Sequence, residues 1–136
     1  MEFLRSIMIA ASGLRAQSGR MRVISENLAN ADTAAQTPGG DPYRRKIPTF
    51  KVTFDRELGA DTVQLHRVQR DQSEFRLRYE PGHPGANEDG YVKLPNVNTL
   101  VEAMDFRQAQ RSYEANLNLI TASRRMITRT LEILRV

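Results

Sequence analysis

The side chains able to do chemistry are few and scattered. His66 and His83 are the only histidines in 136 residues, they fall in different segments, and cysteine is absent. That excludes disulfides, thiolate metal sites and cysteine nucleophiles. Asn87-Glu88-Asp89-Gly90 has the look of a calcium-loop fragment, but it lacks the alternating oxygen ligands and the distal glutamate and reads as a turn. No phosphate-cradling glycine motif and no strand-turn-helix nucleophile occurs. Catalysis has no carrier here, and neither a metal nor a cofactor is expected.

One cluster has binding chemistry. Arg44-Arg45-Lys46 follows Tyr43, which would let cations meet phosphate and a ring stack on a base. The same triplet serves as well at a solvated loop edge or in an ion-paired contact with another protein. Net charge is +4, with acids interspersed among the 20 basic residues, so no basic stripe forms. A basic nucleic-acid-binding helical protein therefore stands as an alternative, although it leaves the long apolar seams unexplained.

Those seams lie in the segments that must position everything else. Phe3, Ile7, Ala10, Leu14, Gln17, Met21, Ile24, Leu28 and Ala31 alternate in steps of four and three, and only Gln17 is polar. This is the 3.5-residue period of a coiled-coil seam, and it predicts a helix from residue 2 to about 31. Gly13 and Gly19 weaken it by about 1 kcal/mol each, either as tolerated blemishes or as points of close backbone approach. Asn30-Ala31-Asp32-Thr33 ends the helix, with Asn30 suited to a left-handed cap. Breaker-rich loop follows to Pro42.

Between residues 43 and 95 the period becomes two. Phe50, Val52 and Phe54 alternate with Lys51, Thr53 and Asp55, as in a strand half-buried on its apolar side. Phe75, Leu77 and Tyr79 repeat the pattern, Thr62–His66 is a weaker candidate, and Tyr91–Leu94 makes a short last strand. The turn-rich Pro81–Gly90 loop precedes it. From Asn98 onward the helical period returns, with Asn98 or Thr99 as cap and Thr99-x-x-Glu102 as a capping box. Its stripe is Leu100, Ala103, Phe106, Gln110, Tyr113, Leu117, Ile120, Arg124, Ile127, Leu131 and Leu134. Gln17, Gln110 and Arg124 interrupt the two seams, either to fix register or because they face solvent.

The expected fold is α+β: two long antiparallel terminal helices, coiled-coil-like, with a small β insert of three or four strands. The segments are 1–33, 34–95 and 96–136. With no tryptophan and 40% apolar residues, so small a chain cannot hide both seams from water. Burying a Leu or Ile side chain is worth about 1.5–3 kcal/mol, so exposed seams drive association. The seam residues Phe3, Ile7, Ala10, Leu14, Met21, Ile24, Leu28, Leu100, Phe106, Tyr113, Leu117, Ile120, Ile127, Leu131 and Leu134 are thus the expected subunit-packing set. A coiled-coil adaptor is a second alternative. The longest N-terminal apolar run, Ile7–Ala11, is too short for a secretory leader or a membrane span.

Ala11-Ser12-Gly13-Leu14-Arg15-Ala16-Gln17, followed by Asn27-Leu28-Ala29-Asn30-Ala31-Asp32-Thr33, resembles the N-terminal motif of the rod, hook and related axial proteins of the bacterial flagellum. Ser112-Tyr113-Glu114-Ala115-Asn116 resembles their C-terminal motif. Thr37–Lys46 and Pro81–Val97 are similar to a proximal-rod member of that family. The resemblance covers nearly the whole chain and departs at Thr99-Leu100, where members often carry one proline.

It implies a structural protein of the basal body, exported by flagellar type III secretion without a cleaved leader. Its helices would pack around an export channel in the periplasm, its insert would face outward, and the shaft would transmit torque. Implied partners are other copies, the rod proteins FlgB, FlgF and FlgG, FliE, ring proteins and the export gate. Tyr43, Arg44, Arg45, His83 and Asn87 become candidates for lateral insert contacts, and Asn27, Asn30 and Asp32 form the helix-end motif.

Overall fold

The computed structural model describes residues 2–135; Met1 and Val136, at the outer ends of the expected terminal segments, lie outside them. Helix α1 runs Glu2–Ala29, followed by strands β1 (Lys46–Asp55), β2 (Ala60–Arg70), β3 (Arg76–Tyr79) and β4 (Tyr91–Leu94), and helix α2 (Thr99–Leu134). The class is α+β, as expected, with a long helix at each end of the sequence.

The end of α1 differs in detail from expectation. Among the described residues only glycines have positive φ, so Asn30 does not use the left-handed cap. Its side-chain amide instead donates to the Glu26 carbonyl at 2.9 Å, while the Thr33 hydroxyl donates to Asn30 Oδ1 at 3.2 Å. At the start of α2, Asn98 is the cap. Its Oδ1 accepts from the amides of Leu100 and Val101 at 3.1 and 3.4 Å. The capping box is not formed, because the Glu102 side chain is buried and bonded elsewhere.

The insert forms two separate ribbons rather than one sheet: β1 pairs with β2, and β3 with β4. Thr49 Oγ1 bonds to the Arg67 carbonyl and Thr62 Oγ1 to the Thr53 carbonyl, partners that converge along the sequence, so β1 and β2 form an antiparallel hairpin. Asp55 Oδ1 holds its turn by accepting from the Glu57 and Leu58 amides at 2.9 and 3.2 Å. Gly59 completes the turn at φ +63°, a conformation glycine adopts without strain. In the second ribbon Leu77 opposes Lys93 and Tyr79 opposes Tyr91.

In neither ribbon is the expected apolar side of the strand buried. Phe50, Val52 and Phe54 are exposed, as are Leu77 and Tyr79. In the hairpin, β2 takes the inward contacts: the Val63 backbone amide donates to Ser12 Oγ, and the Leu65 side chain packs where Gly19 lacks one. In the other ribbon, β4 supplies buried Val92 and Leu94. Exposed Arg76, opposite Leu94, donates to the carbonyls of Ala31 and Pro95.

Contacts divide the chain into two units. One comprises α1 up to Met21, Thr49–Arg67, and α2 from Arg107 onward. Its buried residues are Ala10, Ser12, Gly13, Ala16, Ala109 and Ser123, so among the described residues it buries only Ala, Ser and Gly. Gly13 lies so close to Asn116 that an alanine methyl there would come 2.8 Å from Asn116 Nδ2. Arg20 reaches Gln108 Oε1 at 3.4 Å.

The other unit comprises Arg22–Pro48 and Val68–Phe106 and buries Val23, Ile24, Ala31, Ala34, Ala35, Val92, Leu94 and Val97. Gly85 lies directly against the Ala35 carbonyl, where no side chain fits.

Candidate functional site

The residues singled out in the sequence fall into a buried polar cluster and a set of uncovered apolar faces. The cluster gathers around Asn27, whose side chain is 0% exposed. Its Nδ2 donates to the Lys46 carbonyl at 2.8 Å and to Glu102 Oε2 at 3.3 Å. Its Oδ1 accepts from the Tyr43 hydroxyl at 2.8 Å and the Lys46 amide at 2.9 Å. An Asn side chain offers two donors and two lone pairs, so Asn27 is saturated. That arrangement pins the end of α1 to the first residue of β1 and the first turn of α2.

Glu102 is 1% exposed and paired with Arg45 Nε. Arg45 Nη1 also meets Asp71 Oδ2 at 3.2 Å, and its backbone amide donates to Asn96 Oδ1 at 2.8 Å. Burial opposes the charge on Arg45, but the hydrogen bonds and charges of Glu102 and Asp71 outweigh it and raise its pKa. Asp71 is held below its ordinary value, first by hydrogen bonds from the Ser73 amide and hydroxyl and then by Arg45. Burial pushes the Tyr43 phenol up. At the rim, Lys46 Nζ bonds Glu26 Oε2 at 2.9 Å, which lowers Glu26 and raises Lys46.

Every cation of the Arg44-Arg45-Lys46 triplet is therefore engaged within the chain. Arg44 donates to the carbonyls of Asp71 and Ser73 at 2.8 and 3.3 Å and stacks 4.2 Å above the Phe75 ring. His83 Nδ1 accepts from the Gly85 amide at 2.9 Å. Asn87 Oδ1 accepts from the amides of Asp89 and Tyr91 at 3.0 and 2.9 Å, which makes the calcium-like scrap a turn. Asp32 is exposed. Among the described residues no group of three or more His, Cys, Asp or Glu is placed to hold a metal. The sequence signalled the cations but not their partners Asp71, Asn96 and Glu102. Hydrogen-bond pairs 26 to 75 positions apart leave no local pattern.

The seam residues divide by exposure. Ala10 and Ile24 are buried within the chain, so they are not available to a neighbour. Ile7, Leu14, Met21, Leu28, Phe106, Tyr113, Ile120 and Ile127 are half-buried. Phe3, Leu100, Leu117, Leu131 and Leu134 are exposed, the last three at 45%, 60% and 74%. Leu4, Met8, Ile9, Met126 and Ile133, outside the expected stripes, are exposed too. The covered seam of α2 in the helix–hairpin unit uses Ala109, Ser123 and half-buried Asn116 where the expected stripe had Gln110, Leu117 and Arg124. Gln110 and Arg124 are exposed, whereas Gln17 is half-buried with its Oε1 enclosed and unpartnered. No helix among the described residues is long and apolar enough to cross a membrane.

Both ends of the chain match known families of one class. Residues 7–34 match the model described as flagella basal body rod protein. Residues 88–133 match the model described as flagellar basal body rod FlgEFG protein C-terminal. The chain is 46% identical over 127 residues to the flagellar basal-body rod protein FlgC of Agrobacterium fabrum, covering 93% of this chain and 91% of that one. It is 39% identical to FlgC of Salmonella typhimurium, with 98% of each chain covered. It is 37% identical to FlgC of Bacillus subtilis, over 98% of this chain and 99% of that one. The chain belongs to the FlgC family of flagellar basal-body rod proteins, and it is a structural rod subunit.

Proposed function

We propose that this subunit is a non-catalytic component of the proximal rod. In this reading its terminal helices pair antiparallel and pack beside those of neighbouring subunits as a wall around the export channel. The segments 1–33 and 96–136 supply the wall, and 34–95 is the outward insert. One observation carries the reading: the unit made of the helix ends and the hairpin fully buries only Ala, Ser and Gly, its large apolar side chains are at most half-buried, and Phe3, Leu4, Leu117, Leu131, Ile133 and Leu134 stay exposed.

Small residues let two helices approach closely but contribute little burial. The drive must come from neighbours that cover Phe3, Leu117, Leu131 and Leu134. Antiparallel, coiled-coil-like pairing is supported by the contacts of Gly13 with Asn116 and of Arg20 with Gln108, which ascend α1 and descend α2. A tube of interlocked side chains resists shear because small displacements lose dispersion contacts at once. Such a shaft can pass torque.

Neighbours are other rod subunits. FlgB, FlgF, FlgG, FliE, the ring proteins and the export gate are the specific candidates, reached by type III export to the periplasm. Tyr43, Arg44, Arg45, His83 and Asn87, committed within the chain, would shape a lateral surface rather than reach across it.

Locating a tagged chain in isolated basal bodies tests this. The tag should fall at the membrane-proximal part of the rod. Its absence from purified basal bodies would overturn the reading.

A further inference from the structure

The hairpin tip and the last third of α2 carry opposite charge and matching apolar surface. At the tip, Glu57 and Asp61 are exposed beside Val52 and Phe54 and outnumber the exposed cation Arg56, whereas Asp55 is spent on its own turn. On α2, Arg124, Arg125 and Arg129 line an open groove with Thr121, Thr128 and Glu132, three cations against one carboxylate, and exposed Leu131 lies along its continuation with Arg135. Among the described residues no ion pair joins Glu57, Asp61, Arg124, Arg125 or Arg129 to a partner in the chain.

Helix α1 carries both elements, on different faces. The hairpin meets it at Ser12 and Gly19, with Gly59 of the tip nearest Arg5, whereas α2 meets it at Gly13 and Arg20. Successive residues point about 100° apart on a helix, so hairpin and α2 flank α1 on separate sides. They do so at one level. Arg5 is eight residues before Gly13, and Arg124 is eight residues after Asn116 on a helix running the other way. A copy set alongside at the same height therefore brings its acidic tip to these arginines.

We infer that the β1–β2 tip of one copy docks in the Arg125–Arg129 groove of α2 in the adjacent copy, with Glu57 and Asp61 facing the guanidinium groups and Val52 and Phe54 covering Leu131. The contact is heterologous, so repetition closes a ring or extends a helix of subunits. It rests on the rod-subunit reading and adds which surfaces meet.

The natural absence of cysteine makes the test clean, because a disulfide requires Cα atoms within about 7 Å. Cells co-express two differently sized tagged chains, one Asp61→Cys and the other Arg129→Cys, and isolated basal bodies are oxidised. A mixed dimer carrying both tags is expected. Reversing the tip (Glu57→Arg with Asp61→Arg) should abolish swimming, and adding Arg125→Glu with Arg129→Glu should restore it.

Chains present in basal bodies without a mixed dimer overturn the docking. So does cross-linking of Asp61→Cys only to a different rod protein, or only within one chain carrying both cysteines. Absence of the unsubstituted chain from basal bodies overturns instead the rod reading beneath it.

Discussion

Removing the Arg45 side chain would leave the Glu102 carboxylate almost fully buried with Asn27 as its remaining partner. An unpaired buried charge costs about 3–5 kcal/mol. Arg45→Ala should therefore destabilise the unit around Asn27 by about 3 kcal/mol, read as a shift in the urea midpoint. Glu102→Gln keeps the shape and an acceptor for Arg45, and should cost about 1 kcal/mol. Equal losses in the two variants would mean that charge is not what holds the cluster.

The rim and neighbouring groups set a pH window. Glu26 and Asp71 have depressed pKa values in the folded chain, so their contributions are present above the ordinary carboxylate range and fade as pH falls below about 4. Lys46 and Tyr43 are raised, so theirs hold below about pH 10 and fade above it. Amide exchange at Tyr43–Lys46 should be slowest relative to the unfolded chain between those limits. Exchange protection that stays flat through pH 3 would contradict this account.

At the scale of elements, the helices were legible because a helix repeats its face every few residues, and both stand close to where their periods place them. The covered face of α2, however, runs through Ala109, Asn116 and Ser123, small or polar residues that an apolar period passes over. The strands were legible as strands but not in their facing. Alternation marks two sides without saying which is inner, and in the hairpin Ser12 and Gly19 of α1 seat Val63 and Leu65 instead of Phe50, Val52 and Phe54. The polar cluster was only half visible: Asn27, Tyr43 and Arg45 stood out locally, while Glu102 looked like part of a capping box. Gly13, ambiguous between blemish and close approach, is the latter. Replacing a helical Gly by Ala ordinarily gains about 1 kcal/mol, but here the methyl would meet Asn116 Nδ2 at 2.8 Å. Gly13→Ala should lower the thermal midpoint in the native background and raise it when combined with Asn116→Ala, followed by circular dichroism. A gain in both backgrounds would mean that the helices do not approach at this point.

Over the whole molecule, the side chains that form a buried core and those left exposed fall in different units. The unit containing Val92, Leu94 and Val97 has its own apolar core and saturated polar cluster. The helix–hairpin unit has exposed leucines and isoleucines instead. Covering Leu131 and Ile133, 60% and 75% exposed, would return about 1.5–3 kcal/mol per side chain. Bringing two chains together costs several kcal/mol in lost freedom, at least about 4. One such pair of side chains, worth about 3–6 kcal/mol, at best roughly offsets the lower end of that cost, whereas contacts repeated on several sides exceed it, as a multi-chain wall would supply. Leu131→Lys combined with Ile133→Lys removes apolar surface that the single chain leaves mostly exposed. It should leave the urea midpoint of the purified chain within about 0.5 kcal/mol of the original and yet prevent incorporation into basal bodies. A comparable loss of stability in the purified chain would show that these residues already pack within one molecule, and normal incorporation would show that no neighbour needs them.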